Sequence, residues 1–246
     1  MDTGGRCPLL VWGKIKLCPL WGVSTRLNSS VTISYMIRYI LFDLDNTLYP
    51  SSLGLDEEMG ERIGEFVAKF LDLPPEQARS VRLERSKRYG TTLEWLIAEK
   101  GLEDIEAYYA AVHPEGEEVR LKPDPELRSF IKSLSVPAAI LTNAPMEHAD
   151  RVLRKLDLEG LFTHIFDIRW NGLKGKPAES AFRSVLQEIR MKSEEVLFID
   201  DLPSYVEGFI RIGGQGVLLD ERDIHAGSKY PRVRTIYEIA QFLDHR

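Results

Sequence analysis

Cysteine is nearly absent from the 246-residue chain, since it occurs only as Cys7 and Cys18. Everything after residue 18 therefore contains no disulfide, no thiolate zinc site and no cysteine nucleophile. The sequence also has no run of about 18 uncharged apolar residues, so we expect no membrane-spanning helix and no membrane partner. The composition, 43% hydrophobic and 28% charged, is typical of a globular protein. Because scarce cysteine fits a reducing compartment, we expect a cytoplasmic location.

Acidic residues are scarce at the N-terminus and abundant elsewhere. Residues 1–42 contain five basic residues and one acidic residue, a net charge of +4, whereas the whole chain carries −6. The part after residue 42 is therefore strongly negative, which argues against a nucleic-acid partner, because protein surfaces that bind nucleic acids are basic. The sequence leaves the oligomeric state open.

The first 35 residues lack the apolar periodicity of a folded segment. They are rich in glycine, proline and serine, and the composition changes at Met36, which would be a natural start leading directly into a strand. We predict that residues 1–35 are a disordered or dispensable N-terminal extension. The alternative is a targeting peptide, although a basic start, an apolar run and a small-residue cleavage site do not follow one another here.

Beyond Met36, short apolar runs alternate with helical patterns. The runs are continuous, as is typical of parallel strands that are covered on both faces. Alternation of strands with helices predicts an α/β fold, a doubly wound parallel sheet of the Rossmann-like kind. The predicted strands are 39–42, 138–141, 164–168, 196–199 and 216–219.

About 95 residues separate the first two predicted strands, far more than one crossover requires. Apolar residues at helical spacing around residues 59–70, and a capping box that begins at Thr91, predict several helices there. We predict a helical cap over residues 52–121, inserted after the first strand into a catalytic core of residues 36–51 and 122–246. The alternative is that these helices pack directly on the sheet.

Polar clusters follow three of the predicted strands. Asp43 and Asp45 follow the first strand, Thr142 and Asn143 the second, and the pair 200–201 the fourth. A single aspartate pair in a loop is usually a solvated turn or a helix cap. In an open parallel sheet, however, ligands bind outside the carboxyl ends of the strands, so the three clusters are expected to converge.

Convergence of four carboxylates carries an electrostatic cost. At about 4 Å and an effective dielectric constant of 20, each pair repels by roughly 4 kcal/mol. Protonation of some carboxylates is one solution, and a bound divalent cation is another. Oxygen ligands favour Mg²⁺ or Ca²⁺ over zinc. Lys176, which follows the third predicted strand, is the candidate cation for such a site, the alternative being a solvated loop with two exposed lysines, Lys174 and Lys176.

These clusters resemble the four motifs of the haloacid dehalogenase-like superfamily. The sequence DLDNTLYP over residues 43–50 resembles the first motif, DxDxT. Residues 141–143, 176–177 and 200–201 resemble the second, third and fourth motifs, in the right order and at matching separations. Within the superfamily, the finer resemblance is to the pyrimidine 5′-nucleotidase branch. It is carried by DNTLYP, by residues 89–93 and 121–125, and by TNA over residues 142–144 with His148 and Ala149.

The resemblance implies a phosphatase with an aspartyl-phosphate intermediate. Asp43 would be the nucleophile. Asp45 would protonate the leaving oxygen and then deprotonate the attacking water. Thr142, Asn143 and Lys176 would bind the phosphate oxygens, and Thr142 and Lys176 would also take part in catalysis. If the first strand continues past residue 43, Asp43 and Asp45 lie on one of its faces.

The resemblance also implies Mg²⁺ as the cofactor. Its ligands would come from Asp43, Asp45 through its carbonyl, Asp200 through water or through Lys176, and Asp201. Asp45 and the acidic pair favour phosphoryl transfer over dehalogenation, which needs neither that acid nor a metal. Tyr205 departs from the pattern, since many relatives have asparagine there, and the departure bears on loop packing and metal affinity.

The expected function is therefore Mg²⁺-dependent hydrolysis of a small phosphorylated metabolite, with a pyrimidine nucleoside monophosphate as the finer expectation. Tyr49, Tyr89 and His113 are candidates to stack on a base beneath the cap, the alternative being ordinary packing. Competing hypotheses are a sugar-phosphate or phosphoglycolate-type phosphatase, a phosphomutase, and a catalytically idle binding protein with the same fold.

Overall fold

The computed structural model describes residues 36–86 and 88–243 of the chain. The predictions for residues 1–35 fall outside this range. No helix in the described ranges is long and apolar enough to cross a membrane. The strands are β1 (Tyr39–Phe42), β2 (Ala138–Leu141), β3 (Ile165–Phe166), β4 (Val196–Asp200), β5 (Gln215–Leu219) and β6 (Arg232–Val233). The α-helices are α1 (Leu55–Leu71), α2 (Pro75–Ser86), α3 (Thr92–Lys100), α4 (Ile105–Val112), α5 (Pro125–Ser133), α6 (Met146–Lys155), α7 (Glu179–Glu188) and α8 (Pro203–Arg211). Short 3-10 helices cover Ser51–Leu53, Glu117–Arg120, Ser193–Glu195 and Ile236–Phe242.

The six strands form one parallel sheet in the order β3-β2-β1-β4-β5-β6. The central strand β1 pairs with β2 on one side and with β4 on the other, so that Phe42 is level with both Ile140 and Ile199. The residues that follow these three strands therefore emerge at the same edge of the sheet. The prediction of a doubly wound α/β fold is confirmed.

Alternate residues of the strands pack under helices on opposite faces of the sheet. Ile40 and Phe42 of β1 share a buried cluster with residues of α5 and α6. Tyr39 and Leu41 share another with residues of α7 and α8. Every residue of β1 is buried, and burying a side chain such as Leu41 stabilises the fold by about 1.5–3 kcal/mol. Continuous apolar strands are therefore required, because neither face meets water.

The helices α1–α4 lie between β1 and β2 in the chain and have a hydrophobic cluster of their own. The cluster includes Val67, Trp95 and Leu96, all fully buried, together with the loop residue Ile168. Thr91 caps α3 by accepting a hydrogen bond from the backbone N–H of Glu94, as its sequence pattern predicts. We call residues 52–121 the helical insertion; its role as a cap stays a prediction.

Three details differ from the sequence-based expectations. The strand β3 covers only Ile165–Phe166, and the edge strand β6 was not predicted because two residues carry no periodic signal. The expectation that β1 continues through Asp45 is wrong, since the strand ends at Phe42. The backbone amide of Leu48 donates to the carbonyl of Leu44, and Asn46 has a left-handed φ of 56°, so the chain turns directly after Asp43.

Candidate active site

Asp43 and Lys176 meet at the carboxyl edge of the sheet. The backbone amide of Asp43 donates to the carbonyl of Ile199 in β4, which fixes Asp43 beside the end of that strand. The Lys176 ammonium donates to Asp43 Oδ1 at 2.6 Å and to Asp200 Oδ2 at 2.7 Å. Although burial lowers the pKa of Lys176, the carboxylates of Asp200 and Asp43 outweigh it and raise that pKa above its ordinary value. Lys176 is therefore a fixed positive charge and not a solvated loop lysine.

A third carboxylate, that of Asp201, lies close to the two that Lys176 contacts. Oxygens of Asp43, Asp200 and Asp201 lie within 4.8 Å of one another, whereas the Asp45 carboxylate does not belong to this group. Burial raises the pKa of Asp43 and of Asp200, with Lys176 opposing both shifts. Burial and the nearby Asp43 charge raise the pKa of Asp201 to about 7. The protein alone thus leaves this cluster with excess negative charge.

The acidic cluster fits a hard divalent cation. All of its donors are oxygens, the ligand type that Mg²⁺ prefers. Asn46 donates to Asp201 Oδ2 at 3.2 Å, while its own side-chain oxygen is buried without a hydrogen-bond partner among the described residues. Such an unpaired acceptor beside three carboxylates is the environment in which a cation or its bound water is stabilised.

The raised pKa of Asp201 predicts a pH-dependent stability in the absence of metal. Because the folded state holds the proton more tightly than the unfolded chain, ionisation of Asp201 destabilises the fold as the pH rises from about 4 through about 7. We expect Asp201→Asn to be more stable than the wild type at pH 8 by on the order of 2 kcal/mol, and about equally stable at pH 4.

Urea unfolding in the presence of a chelator, at both pH values, measures this difference. Asp150→Asn is the matched control, because Asp150 is an exposed aspartate on α6. Equal pH dependence of the wild type and Asp201→Asn would contradict the prediction.

Thr142 and Asn143 follow β2 at the same edge. The Thr142 hydroxyl oxygen accepts from the backbone amide of Ala144 at 3.0 Å, which leaves its hydrogen available to donate. The Asn143 side chain accepts from the Lys176 backbone amide at 2.8 Å and donates to the Lys176 carbonyl at 3.0 Å. A side chain at Gly175 would place its Cβ only 2.5 Å from Asn143 Oδ1. The structure therefore places the Asn143 side chain against the loop that carries Lys176.

Tyr205 contacts the same loop and the lysine. The Asn143 amide donates to the Tyr205 hydroxyl at 3.1 Å, and the Lys176 ammonium lies 5.1 Å from the centre of the Tyr205 ring. Burial raises the pKa of Tyr205 to about 12, so the phenol stays protonated. Tyr205, the residue that departs from the fourth-motif pattern, thus places an aromatic ring beside the Lys176 ammonium group.

Asp45 lies apart from the acidic cluster in a second network. Its Oδ1 accepts from the Tyr49 hydroxyl at 2.6 Å and lies 2.7 Å from His148 Nε2. The other ring nitrogen of His148 lies 2.5 Å from Glu117 Oε1. Burial lowers the pKa of His148, but the carboxylates of Asp45 and Glu117 outweigh burial and raise it to about 10. His148 therefore donates from both ring nitrogens.

No role was predicted for His148 or Glu117 from the sequence. His148 had a signal, since it belongs to the finer resemblance to the nucleotidase branch, but Glu117 lies in a charged run without periodicity. Of the three aromatic candidates, His113 lines the cavity beside the acids and Tyr49 binds Asp45. Tyr89 packs against the insertion's hydrophobic cluster and donates to Glu99, and it does not line the cavity.

A cavity of about 340 Å³ opens above Asp43 and Lys176. Its floor is the carboxyl edge of the sheet, and its walls come from the helical insertion. This volume lies in the range typical of small-molecule sites, about 300–1,000 Å³. The insertion contributes both apolar and polar side chains to these walls. The apolar ones include Met59, Ile63, Leu93, Tyr108, Tyr109 and Val112, and the polar ones include Asp56, Arg82, Ser86, Thr91, Thr92 and His113.

Curated proteins similar to this chain include two phosphate-related proteins. Phosphate metabolism protein 8 from Saccharomyces cerevisiae is 24% identical over 72% of this chain and 59% of its own length. Phosphorylated carbohydrates phosphatase from Thermotoga maritima is 32% identical over 43% of this chain and 51% of its own length. The matched region thus spans only a little more than half of either curated relative.

Solved structures with the same fold include both hydrolases and dehalogenases. The HAD-hydrolase YfnB from Bacillus subtilis, bound to magnesium, has a TM-score of 0.54 and 19% identity over 85% of this chain and 99% of its own. The 2-haloacid dehalogenase from Pseudomonas syringae has a TM-score of 0.54 and 18% identity over 85% and 98%. At these identities the structures show the shared fold.

The family model of the haloacid dehalogenase-like hydrolases matches residues 37–213. The match includes β1–β4 and each of the polar clusters at the carboxyl edge of the sheet. The first motif, the lysine and the acidic pair occupy neighbouring positions in the folded chain, as described above. The chain belongs to the haloacid dehalogenase-like hydrolases.

Proposed function

We propose that this hydrolase is a Mg²⁺-dependent phosphatase that cleaves a small phosphomonoester through an aspartyl-phosphate on Asp43. The observation that carries the proposal is the buried arrangement of Asp43, Lys176 and Asp200 at the floor of the cavity. A carboxylate can attack an anionic phosphate only where positive charge offsets the repulsion. Lys176 supplies one such charge at hydrogen-bond distance from the nucleophile.

In the first step, an Asp43 carboxylate oxygen attacks phosphorus while the bond from phosphorus to the substrate's leaving oxygen breaks. A proton from Asp45 passes to that leaving oxygen, and the alcohol departs. The hydroxyl of Thr142 and the ammonium of Lys176 donate hydrogen bonds to the remaining phosphate oxygens. The phosphoryl group is then bonded to Asp43.

In the second step, water attacks the phosphorus of the aspartyl-phosphate. Asp45, which is now ionised, takes a proton from the water, and the bond between phosphorus and the Asp43 oxygen breaks. Inorganic phosphate leaves and the Asp43 carboxylate is restored. Both steps therefore return Asp45 to its starting protonation state.

Mg²⁺ would be held by Asp43 and Asp201, with the backbone carbonyl of Asp45, and it would neutralise charge on the phosphate. Asp200 would orient the site through Lys176, which it already contacts at 2.7 Å. The Asp45 side chain lies outside the three-carboxylate group, and its Oδ2 remains available for proton transfer.

Asp45 also favours phosphoryl transfer over dehalogenation. Displacement of a halide needs no proton donor for the leaving group, whereas an alkoxide leaving group does. Two hydrogen bonds fix Asp45 beside the turn that follows the nucleophile, where its carboxyl group is placed for proton transfer. Although burial raises the pKa of Asp45, the His148 charge and these hydrogen bonds outweigh burial and lower it, which favours the ionised form that activates water. The dehalogenases among the similar structures share the fold, and fold alone does not assign the reaction.

The finer proposal is a pyrimidine nucleoside monophosphate as the substrate. The resemblance of residues 43–50, 89–93 and 121–125 to the nucleotidase branch supports it. The apolar residues of the cavity wall, including Met59 and Tyr108, also suit a planar base. A cavity enclosed by the insertion would exclude a folded protein substrate and water.

A sugar phosphate is the second candidate substrate. The Thermotoga maritima relative, a phosphorylated carbohydrates phosphatase, is 32% identical over 114 residues and supports this alternative. A phosphomutase would use the same Asp43 and Asp45 chemistry but return the phosphoryl group to the sugar. A binding protein without turnover would have no need for the buried contact of Lys176 with Asp43.

Phosphate release across a panel of nucleotides and sugar phosphates tests the proposal. We expect release from a small set of phosphomonoesters, with the pyrimidine nucleotides among the best, and at least about a hundredfold loss of rate when a chelator removes the metal. Addition of Mg²⁺ should restore the rate.

The remaining outcomes separate the alternatives. Preference for sugar phosphates would replace the nucleotide assignment. Isomerised product without free phosphate would identify a phosphomutase. Binding of Mg²⁺ with no turnover of any phosphate would favour the idle scaffold, and full activity in the chelator would contradict the role of the metal.

A further inference from the structure

The two oxygens of the Asp45 carboxylate have different environments. Oδ1 accepts from the Tyr49 hydroxyl at 2.6 Å and contacts His148 Nε2 at 2.7 Å. No donor among the described residues contacts Oδ2. Two hydrogen bonds to the same oxygen fix the plane of the carboxylate and leave Oδ2 as the oxygen available for proton transfer. The Asp45 side chain is 18% exposed, so it retains access to the cavity.

The ring nitrogen of His148 that does not face Asp45 contacts Glu117. The distance from His148 Nδ1 to Glu117 Oε1 is 2.5 Å, and both side chains are about 5% exposed. Glu117 in turn accepts from Arg151 at 3.1 Å on Oε1 and from Arg62 at 2.7 Å on Oε2. Because Arg62 belongs to α1 and His148 to α6, Glu117 connects the helical insertion to the residue that contacts Asp45.

The same cluster does not favour a second metal ion. Ligand atoms of His113, Glu117 and His148 do lie within 4.8 Å of one another. However, both oxygens of Glu117 already accept hydrogen bonds from guanidinium groups, which cannot lose their protons. A divalent cation would have to displace Arg62 or Arg151, so the cluster is complete as an ion-pair network.

We propose that His148, supported by Glu117, is a positioning residue that holds Oδ1 of Asp45, so that Oδ2 faces the leaving oxygen of the substrate. The inference rests on the proposed phosphatase function, because it assigns a task in proton transfer. His148 does not touch the substrate; it acts through Asp45. Misplacement of a catalytic group by about 1 Å is enough to cost about a hundredfold in rate.

The leaving group of the substrate provides a selective readout. Breaking the ester bond of phenyl phosphate requires protonation of a basic phenoxide, whereas p-nitrophenoxide leaves without a proton. The ratio kcat/KM reports the steps up to departure of the leaving group. Loss of Asp45 positioning should therefore lower kcat/KM for phenyl phosphate and spare p-nitrophenyl phosphate, while general damage to the site lowers both.

The experiment measures kcat/KM of the full chain with Mg²⁺ on both aryl phosphates. For His148→Leu we expect a loss of about 30–100-fold on phenyl phosphate and less than about threefold on p-nitrophenyl phosphate. His148→Gln retains a donor near the position of Nε2 and should recover most of the loss. Glu117→Gln, which weakens the support behind His148, should show the same selectivity at about tenfold.

Glu147→Gln is the matched control, because Glu147 precedes His148 on α6 and its carboxylate pairs with Arg169. It should leave both ratios unchanged. If His148→Leu fails to fold, Tyr49→Phe removes the other donor to Oδ1 and should give a selective loss of about fivefold.

Equal losses on the two substrates in the His148 variant, or failure of His148→Gln to recover activity, would overturn the positioning role while leaving the phosphatase intact. If the wild-type chain hydrolyses neither aryl phosphate nor any panel phosphate, the proposed function fails, and the inference fails with it.

Discussion

Asp43→Asn should abolish turnover, with a fall in kcat of at least about 10⁴-fold on every phosphate that the wild type cleaves. The amide cannot form the acyl-phosphate bond, and no other described carboxylate occupies the same position. Asp200 is held by Lys176 and by the backbone amide of Leu202, while Asp201 is held by Asn46. Neither can therefore replace the nucleophile without rearrangement of the site.

Two measurements together check this prediction. Phosphate release gives the rate, and mass spectrometry of the acid-quenched protein detects phosphate bound covalently to the chain. We expect an adduct on residue 43 in the wild type and no adduct in Asp43→Asn. Because burial raises the pKa of Asp43, a neutral side chain there should not lower the melting temperature.

Asp150→Asn serves again as the matched control, since it makes the same chemical change on an exposed surface. Its rate and adduct should equal those of the wild type. An adduct that persists in Asp43→Asn, or a rate within tenfold of the wild type, would assign the nucleophile elsewhere.

Lys176→Met should lower kcat by about 10³-fold and also destabilise the fold. Lys176 is 1% exposed and donates to both Asp43 and Asp200, so its removal leaves two buried carboxylates without their cation. Breaking a buried ion pair in this way typically costs about 3–5 kcal/mol. The stability loss should be smaller at pH 5 than at pH 8, because the pKa values of Asp43 and Asp200 are raised and protonation removes the repulsion.

Lys174→Met is the control for this variant. Lys174 lies two residues earlier in the same loop and is exposed, so its loss should change neither the rate nor the free energy of unfolding beyond about 0.5 kcal/mol. Kinetics and urea unfolding at the two pH values measure both effects. Equal behaviour of the two lysine variants would show that Lys176 acts only as a surface charge.

Much of the fold could be predicted from local sequence. The apolar runs of β1, β2 and β4 identified the central strands, because each is buried on both faces and admits no polar residue. A capping box marked a helix start at Thr91, since a side-chain acceptor there satisfies a free backbone amide. The two-residue strand β6 was missed, because two residues carry no periodic signal.

The candidate site could be predicted only in part. Asp43, Lys176 and the acidic pair were identified because each follows a predicted strand and because their order and separations match the family motifs. The distances between these residues, and the contact of the Tyr205 ring with Lys176, could be seen only in the folded chain. The direction of the Asp45 side chain was mispredicted, because a turn at Asn46, and not a longer strand, follows Asp43.

The sequence by itself determined the alternation of strands and helices, the long insertion after β1, and the residue types that cluster at the ends of the strands. These follow from periodicity and from backbone preferences, which act over a few neighbouring residues. Only the tertiary structure decided that His148 contacts Asp45 and that Glu117 contacts His148. These two residues lie 103 and 72 residues from Asp45 in the chain. Contacts across such separations depend on how the insertion returns to the sheet, and no local preference encodes that path.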